Sequence, residues 1–313
     1  MAWSIDDIPD LTGRTAVVTG PTGGLGLVSA KVLAAKGAGV VVAGRHLDTA
    51  GVVRSEILLD HPEALIETRR LDLGSLDSIG AFSEAVTGDH PSIDLLINNA
   101  GVMGTPRLET ADGFELQFGT NHLGHFALTA LMMPAILRAG RGRVVTVTSY
   151  ARHFRVAVDP DDLGMEGGYD TWLAYGRSKM CNHQFALELQ HRLAAAGAAA
   201  ASLSAHPGMS HTNLHAASVA ASGGGRSQRF FHLWARTLGT SAAAGALPQL
   251  RAATDPGLPG GSLVAPRWVV AGAPVRRPTL RRFTRERSML WEVSERATGI
   301  PFDVAGMVER AAG

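Results

Sequence analysis

The segment T-G-P-T-G-G-L-G, residues 19–26, lies between an apolar run, TAVVT from residue 15, and a helical pattern near residues 24–36. Glycines at such a point let the chain turn sharply, let its backbone approach a pyrophosphate, and let the helix pack closely on the strand. The N-terminus of the helix then faces the phosphates. A plain turn also uses glycines, but the strand-to-helix context favours a dinucleotide-binding unit.

Outward from this segment, short β-rich runs alternate with longer helical patterns, which is typical of a parallel sheet covered on both faces. We therefore predict an α/β fold with a Rossmann-like doubly wound sheet of about seven strands. We expect one domain over residues 1–313, with a cofactor-binding and catalytic core at about 12–208, a substrate lid at about 209–238 and a C-terminal extension at about 260–313. Strand-like runs begin at residues 15, 40, 64, 93, 143, 200 and 260, and helical patterns lie near residues 24–36, 47–60, 75–87, 112–139 and 172–196.

Tyr175 and Lys179 are four residues apart in a helical pattern, so their side chains are expected to stack on one face. An ammonium about 4 Å from a phenol is worth roughly 4 kcal/mol, which lowers the phenol pKa by about three units from its usual value near 10. Tyr175 would then act as a general acid and base near neutral pH. Because this spacing is common by chance, the alternative for the pair alone is a half-buried helix face.

Composition and charge exclude several classes of function. The chain has 313 residues, is 45% hydrophobic and carries a formal net charge of +1, so no overall positive field attracts nucleic acid. Its single cysteine, Cys181, excludes an intramolecular disulfide and fits a reducing compartment. No apolar run suits export or anchoring, so we expect a cytoplasmic protein without a membrane anchor. Two histidine pairs, His122 with His125 and His211 with His215, lack acidic or cysteine partners, and no metal site is expected.

Seven motifs occur in the order found in one enzyme family. Besides the glycine segment and the Tyr175/Lys179 pair, they are Asp72 in LDL, NNAG at 98–101, Asn121 in NHLGHF, Ser149 in TVTSYA and HPGMSHT at 206–212. The chain therefore resembles the classical short-chain dehydrogenase/reductase family from about residue 12 to residue 212. NHLGHF, the spacing between Ser149 and Tyr175, and LWEVSERATGIPF near the C-terminus resemble its retinol dehydrogenase-like branch.

The resemblance implies an oxidoreductase that interconverts a carbonyl and an alcohol, with four catalytic residues: Asn121, Ser149, Tyr175 and Lys179. Tyr175 would exchange a proton with the substrate oxygen, and Ser149 would hydrogen-bond that oxygen and stabilise its developing charge. Lys179 would lower the phenol pKa and hold the nicotinamide ribose, while Asn121 would hold a water that passes protons toward Lys179. The cofactor would supply the hydride. The resemblance further implies a small-molecule carbonyl or alcohol substrate and a homodimer or homotetramer.

The end of the second strand-like run predicts the choice of cofactor. Members of the family that use NAD carry an acidic residue there to bind the ribose 2′-hydroxyl, whereas this chain has Gly44 followed by Arg45. Arg45 can bind a 2′-phosphate bidentately, which favours NADP(H); the alternative is NAD(H) with Arg45 as a solvated loop residue. The expected cofactor contacts are Gly20, Thr22, Gly24, Leu25, Gly26, Arg45, Asp72, Leu73, Asn99, Ala100, Gly101, Tyr175, Lys179, Pro207, Gly208 and Thr212.

Segments near the catalytic motifs carry bulky apolar side chains and few fixed charges, which favours a bulky lipophilic ketone or aldehyde as the substrate. Arg152 and Arg155 leave an acidic substrate as the alternative. A different class, a dinucleotide-sensing regulatory or scaffold protein, uses the same fold but commonly lacks part of the catalytic set. Residues 267–287 include seven arginines and one acidic residue, Glu286, which is typical of a solvated or subunit-facing surface.

Overall fold

One twisted sheet organises the chain, of which the computed structural model describes residues 2–21, 23–154, 157–208, 240–279 and 284–312. Its strands are β1 (Thr15–Thr19), β2 (Gly39–Gly44), β3 (Ile66–Arg70), β4 (Leu95–Asn98), β5 (Arg143–Val147), β6 (Ala201–Ala205), β7 (Leu263–Pro266) and β8 (Pro274–Arg277). The eight strands have the order β3-β2-β1-β4-β5-β6-β7-β8. Strands β1 to β7 are parallel, and β8 pairs antiparallel with β7 at one edge.

Helices cover both faces of the sheet. Those in the described ranges are α1 (Gly24–Ala35), α2 (Leu47–Asp60), α3 (Leu76–Asp89), α4 (Gly124–Arg138), α5 (Thr171–Ala195), α6 (Ala242–Thr254), α7 (Thr284–Thr298) and α8 (Val304–Ala312). A short helical turn (Leu116–Phe118) and a π-helical segment (Gly119–Leu123) lead into α4, and a 3₁₀ helix (Tyr150–Phe154) follows β5. The predicted α/β Rossmann-like doubly wound fold is therefore confirmed.

The central strands β1, β2, β4 and β5 are mostly apolar because both of their faces are buried. Val17 and Leu96 pack into a cluster with α3, α4, α5 and α8 on one face. Ala16, Val18 and Ile97 pack into a second cluster with α1, α2 and α6 on the other. Successive residues of a strand point to opposite faces, so β1, β2, β4 and β5 each contribute to both clusters.

The order in which the chain adds strands to the sheet reverses at β1, because β2 and β4 lie on opposite sides of β1. In open α/β sheets, ligands bind at such a reversal, outside the carboxyl ends of the strands. The glycine segment leaves β1 at this point, and residues 99–101 leave β4 beside it. In the described ranges, no helix is both long enough and apolar enough to cross a membrane.

Candidate active site

The glycine segment turns tightly after β1 because two of its positions exclude a side chain. Gly20 has a φ angle of +65°, and a Cβ atom there would lie 2.8 Å from the Cβ of Ala100. A Cβ on Gly26 would lie 2.6 Å from Nδ2 of Asn99. The loop after β1 and the loop after β4 therefore touch, and these four predicted cofactor residues lie together.

The N-terminus of α1 has the features of a pyrophosphate site. Gly24 and Leu25 form its first turn, and no side chain in the described part of the chain caps it at Gly23. Unpaired N–H groups at the positive end of a helix dipole attract an anion. The close approach that the glycines permit leaves the backbone open to a dinucleotide, so these residues fit such a cofactor. Thr22, another predicted contact, lies outside the described residues.

Thr19, the last residue of β1, joins the glycine segment to the end of β4. Its Oγ1 accepts hydrogen bonds from the backbone N–H groups of Asn99 and Ala100, each at 3.0 Å. The Asn99 side chain donates back to the Thr19 carbonyl at 2.9 Å. Gln249 of α6 reaches the same place, because its Nε2 lies 2.7 Å from Ser29 Oγ and 3.3 Å from Asn99 Oδ1. No motif in the sequence predicts these contacts of Thr19 and Gln249.

Asn121 lies in the π-helical segment, a distortion that is frequent at functional sites. Its Oδ1 accepts the N–H of Val102 at 2.7 Å, and its Nδ2 donates to the Val102 carbonyl at 2.9 Å and to Ser178 Oγ at 3.0 Å. A Cβ on Gly101 would lie 3.0 Å from Asn121 Oδ1 and 3.3 Å from Lys179 Nζ. The Asn121 side chain therefore holds the loop after β4 against α5.

His125 connects Asn121 to Thr19 through the buried interior. Since a carbonyl only accepts, His125 Nδ1 carries the proton and donates to the Asn121 carbonyl at 2.9 Å. Its Nε2 then accepts from the Thr19 hydroxyl, also at 2.9 Å. Burial lowers the pKa of His125 to about 4, so the ring is neutral at pH 7. The spacing of His125 from His122 in the sequence suggests only a metal ligand and does not predict this link.

Tyr175 projects from α5, and its hydroxyl interacts with the side chain of Ser149, which follows β5. The ring is buried against Met103 and Ala151. Burial raises the pKa of Tyr175 to about 12, and the Ser149 hydrogen bond offsets only part of that rise. The net lowering of the Tyr175 pKa that the four-residue spacing predicts is therefore not found, because burial of the phenol is the largest influence on this pKa.

Lys179 lies one helical turn beyond Tyr175, with its Nζ 5.9 Å from the centre of the phenol ring. The Nζ donates to the Val147 carbonyl at 3.3 Å. Burial lowers the pKa of Lys179 to about 8, so the ammonium is still mostly protonated at pH 7. The stacking expected from the four-residue spacing is present, and it places a positive charge beside the phenol.

Two further groups of predicted cofactor residues lie along the carboxyl edge on the β2 and β3 side. Arg45 is exposed directly after β2, with its Nε 3.3 Å from His46 Nε2. After β3, the Asp72 carboxylate accepts the N–H of Gly74 at 2.9 Å, and Leu73 is buried against α4. Arg45 is thus free to turn toward a ligand, whereas Asp72 shapes its own loop.

On the other side of the site, Pro207 and Gly208 follow β6, and both are partly buried. Gly208 has a φ angle of +78°, and a Cβ there would collide with the Val270 carbonyl. Thr212 and the predicted lid at 209–238 lie outside the described residues. Within the described ranges, no group of three or more His, Cys, Asp or Glu residues could hold a metal ion.

The site thus combines a glycine cradle for a dinucleotide with a serine, a tyrosine, a lysine and an asparagine at one edge of the sheet. The family described as short chain dehydrogenase matches residues 14–222, more than half of the chain. The chain belongs to this family.

Two curated relatives identify the branch of the short chain dehydrogenase family. The chain is 38% identical over 205 residues to retinol dehydrogenase 13 of Mus musculus, a match that covers 65% of this chain and 60% of that protein. It is 43% identical over 216 residues to polyprenol dehydrogenase of Mus musculus, covering 66% and 63%. The chain thus spans less than two thirds of either relative, and it belongs to the retinol dehydrogenase-like branch.

A solved structure extends the similarity over nearly the whole chain. The crystal structure of an uncharacterised protein from Mycobacterium paratuberculosis has a TM-score of 0.78 and 38% sequence identity to this short chain dehydrogenase. The match covers 96% of this chain and 99% of that one. The similarity therefore includes the region beyond residue 222, where the family match ends.

Proposed function

We propose that this short chain dehydrogenase family member is an NADP(H)-dependent oxidoreductase that reduces a bulky lipophilic ketone or aldehyde. One observation carries the proposal: Tyr175 interacts with Ser149 and lies beside Lys179, and Asn121 holds the loop after β4 against the helix that carries Tyr175. This arrangement provides a proton donor, an oxyanion partner and a positive charge at the edge of the sheet where a dinucleotide binds.

The raised pKa of Tyr175 suits reduction. With a pKa of about 12, the phenol is protonated at neutral pH and can donate its proton to a carbonyl oxygen. The dinucleotide, when bound, supplies the hydride to the carbonyl carbon. Ser149 is placed to donate to the same oxygen and stabilise its negative charge. Lys179, charged at pH 7, stabilises the phenolate left after proton transfer and can bind the ribose hydroxyls.

Arg45 supports NADP(H) over NAD(H). It is exposed at the end of β2, and the preceding residue, Gly44, lacks the carboxylate that repels a 2′-phosphate. We expect the specificity constant for NADPH to exceed that for NADH at least tenfold, or about 1.4 kcal/mol. Arg45→Ala removes most of this preference, whereas Arg54→Ala, at an exposed arginine farther along α2, leaves it unchanged. Equal use of both cofactors by the unchanged protein would refute the assignment.

The surroundings of Ser149 and Tyr175 support an apolar substrate. Met103 and Ala151 pack on the phenol, and Tyr150 and Phe154 are exposed on the 3₁₀ helix after Ser149. Arg152, which could have bound an acidic substrate, instead donates from Nη1 to the Ser149 carbonyl at 3.0 Å. The names of the two relatives specify retinol and polyprenol, both lipophilic alcohols. Matched neutral and carboxylated ketones test this point, and a clear preference for the carboxylated member would contradict it.

A tyrosine variant separates an enzyme from a dinucleotide sensor. Tyr175→Phe keeps the ring and Lys179, so it is expected to fold and bind NADPH but to lose turnover by several orders of magnitude. Tyr169→Phe is the matched control, because Tyr169 also has a pKa raised to about 12 but bonds to Glu115 and Thr105 instead. NADPH oxidation with a panel of carbonyl compounds provides the measurement. Retained activity in Tyr175→Phe would show that another group is the acid.

A further inference from the structure

The hairpin between β7 and β8 exposes three apolar side chains at its tip. Trp268 is 72% exposed, Val269 38% and Val270 45%. Val269 has a φ angle of +72°, a rare conformation for a β-branched residue. Backbone hydrogen bonds from Arg267 to Ala273 at 2.9 Å and from Trp268 to Ala271 at 3.0 Å close the turn. The tip is therefore a hydrogen-bonded turn that presents apolar groups to solvent at a cost in strain.

Positive charges flank the apolar tip. Arg267 precedes Trp268 and is exposed, and Arg276 is exposed on β8. Arg277 holds the base of the hairpin, since its Nη2 donates to the carbonyls of Pro266 at 2.8 Å and Arg267 at 2.5 Å. The sequence has no acidic residue between Asp255 and Glu286. An apolar tip with arginines at its base is complementary to the anionic headgroups and apolar interior of a membrane.

The hairpin tip also lies close to the segment that follows β6, on the side of the site where Ser149 lies. The Val270 carbonyl lies so close to Gly208 that a Cβ there would collide with it. His206, two residues earlier, contacts the exposed ring of Tyr150, with ring centres 6.4 Å apart. Tyr150 directly follows the catalytic Ser149. A surface bound to the tip would therefore face the entrance through which substrate reaches Ser149.

We propose that the hairpin loop, residues 267–273, binds the surface of an anionic membrane and so presents the active-site entrance to molecules dissolved in the bilayer. A second copy of the chain fits the tip less well, because three side chains cover far less than the roughly 800 Å² per partner that a stable protein interface buries. Binding to the membrane is peripheral and needs no spanning helix. The proposed reduction does not itself require contact with a membrane.

Vesicle flotation with the full chain tests this proposal without any measurement of turnover. The protein is expected to float with vesicles of phosphatidylcholine and phosphatidylserine, and to bind pure phosphatidylcholine at least tenfold more weakly. The double variant Trp268→Ser/Val270→Ser is expected to lose binding to both at least tenfold. Arg267→Glu/Arg276→Glu is expected to lose only the preference for anionic vesicles. Leu59→Ser is the matched control, because Leu59 is 83% exposed on α2, far along the chain from the hairpin.

Three further readouts separate the possible outcomes. Reduction of a short, water-soluble ketone is expected to be unchanged by the Trp268 and Val270 substitutions, which shows that those variants fold. The proposal is wrong if the wild-type protein does not bind anionic vesicles. It is also wrong if the double variant binds them as strongly as the wild type does. If the double variant instead lowers the mass measured by light scattering, the tip is a contact between two copies of the chain. Vesicle binding by a chain that reduces no ketone would refute the proposed reaction and leave the membrane contact standing.

Discussion

Replacement of His125 by leucine tests the buried link between the cofactor cradle and Asn121. The substitution removes the hydrogen bonds to the Asn121 carbonyl and to the Thr19 hydroxyl, both 2.9 Å long. A buried polar group left without its partner costs about 1–3 kcal/mol. Thr19 Oγ1 keeps a second acceptor, the Ile97 carbonyl at 3.4 Å, so the main loss falls on Asn121. We expect the free energy of unfolding to fall by about 2–4 kcal/mol.

The functional effect of His125→Leu is expected to exceed what lower stability alone produces. Without the ring, the π-helical segment is free to shift, and the Asn121 amide loses its fixed position against Val102. Thr19 also loses the partner that orients its hydroxyl toward the loop after β4. A displacement of about 1 Å costs up to roughly 100-fold in rate. We therefore expect kcat/KM to fall roughly 10-fold to 100-fold and NADPH affinity to fall as well.

His122→Leu provides the control, because His122 is equally buried three residues earlier in the chain but faces α7. Its Nε2 bonds to Ser294 Oγ at 2.9 Å, and burial lowers its pKa to about 3. Urea unfolding is expected to show comparable losses of stability for both variants, while NADPH fluorescence titration shows weaker binding only for His125→Leu. The same NADPH affinity in both variants, or wild-type turnover in His125→Leu, would refute the reasoning.

Three other predictions follow from close contacts and from pKa shifts. Gly26→Ala places a Cβ within 2.8 Å of three neighbouring atoms, so NADPH affinity is expected to fall more than tenfold by titration, whereas Gly51→Ala, with open space around it, retains wild-type affinity. Lys179 has a pKa of about 8, so its charge is present below pH 8 and lost above it. We therefore expect kcat/KM for ketone reduction to decline above pH 8, and we expect Lys179→Arg to move that decline to higher pH. A rate that rises through pH 9 in the wild type would contradict this role for the ammonium. His122, His125 and His206 are buried and have pKa values of about 3 to 4, so they stay neutral in the folded chain but take up protons below about pH 6.5 when it unfolds. Their contribution to the free energy of unfolding is therefore complete above pH 6.5 and falls toward pH 4, by about 2 kcal/mol per ring at pH 5. A Tm that is constant from pH 7 to pH 5 would count against the buried neutral state of these rings.

The parallel part of the sheet could be predicted from the sequence because most of its strands are short β-rich runs that alternate with helical patterns. Strand β8 could not, since its sequence, Pro-Val-Arg-Arg, has neither the composition nor the alternation of a strand. It is a strand because β7 offers an unpaired edge and the turn at 267–273 returns the chain to it. Helix α6 was missed for a related reason, because its alanines and glycine fit a loop as well as a helix until they pack on α1.

The residues of the candidate site could be predicted from the order of the motifs, but their pKa values and buried hydrogen bonds could not. The four-residue spacing of Tyr175 and Lys179 predicted their proximity. The direction in which the phenol pKa shifts depends on how deeply Tyr175 is buried, and the spacing of the two residues in the sequence does not reveal that burial. The role of His125 depends on contact with Thr19, which lies 106 residues away in the chain. One feature of the sequence could have indicated this role: His125 lies in an apolar segment that has no other metal ligands. A histidine in such a segment is expected to be buried and to hydrogen-bond to the backbone.

The packing of α6 on α1 decides where this chain could be shortened. The family match ends at residue 222, but Ala246 and Leu250 of α6 belong to the same apolar cluster as Ala30 and Leu33 of α1. Gln249 also supports the glycine segment from behind. A fragment trimmed at the end of the match would expose that apolar face to water and loosen the backbone on which a dinucleotide rests. Any minimal fragment built for ligand soaking or directed evolution therefore has to include α6.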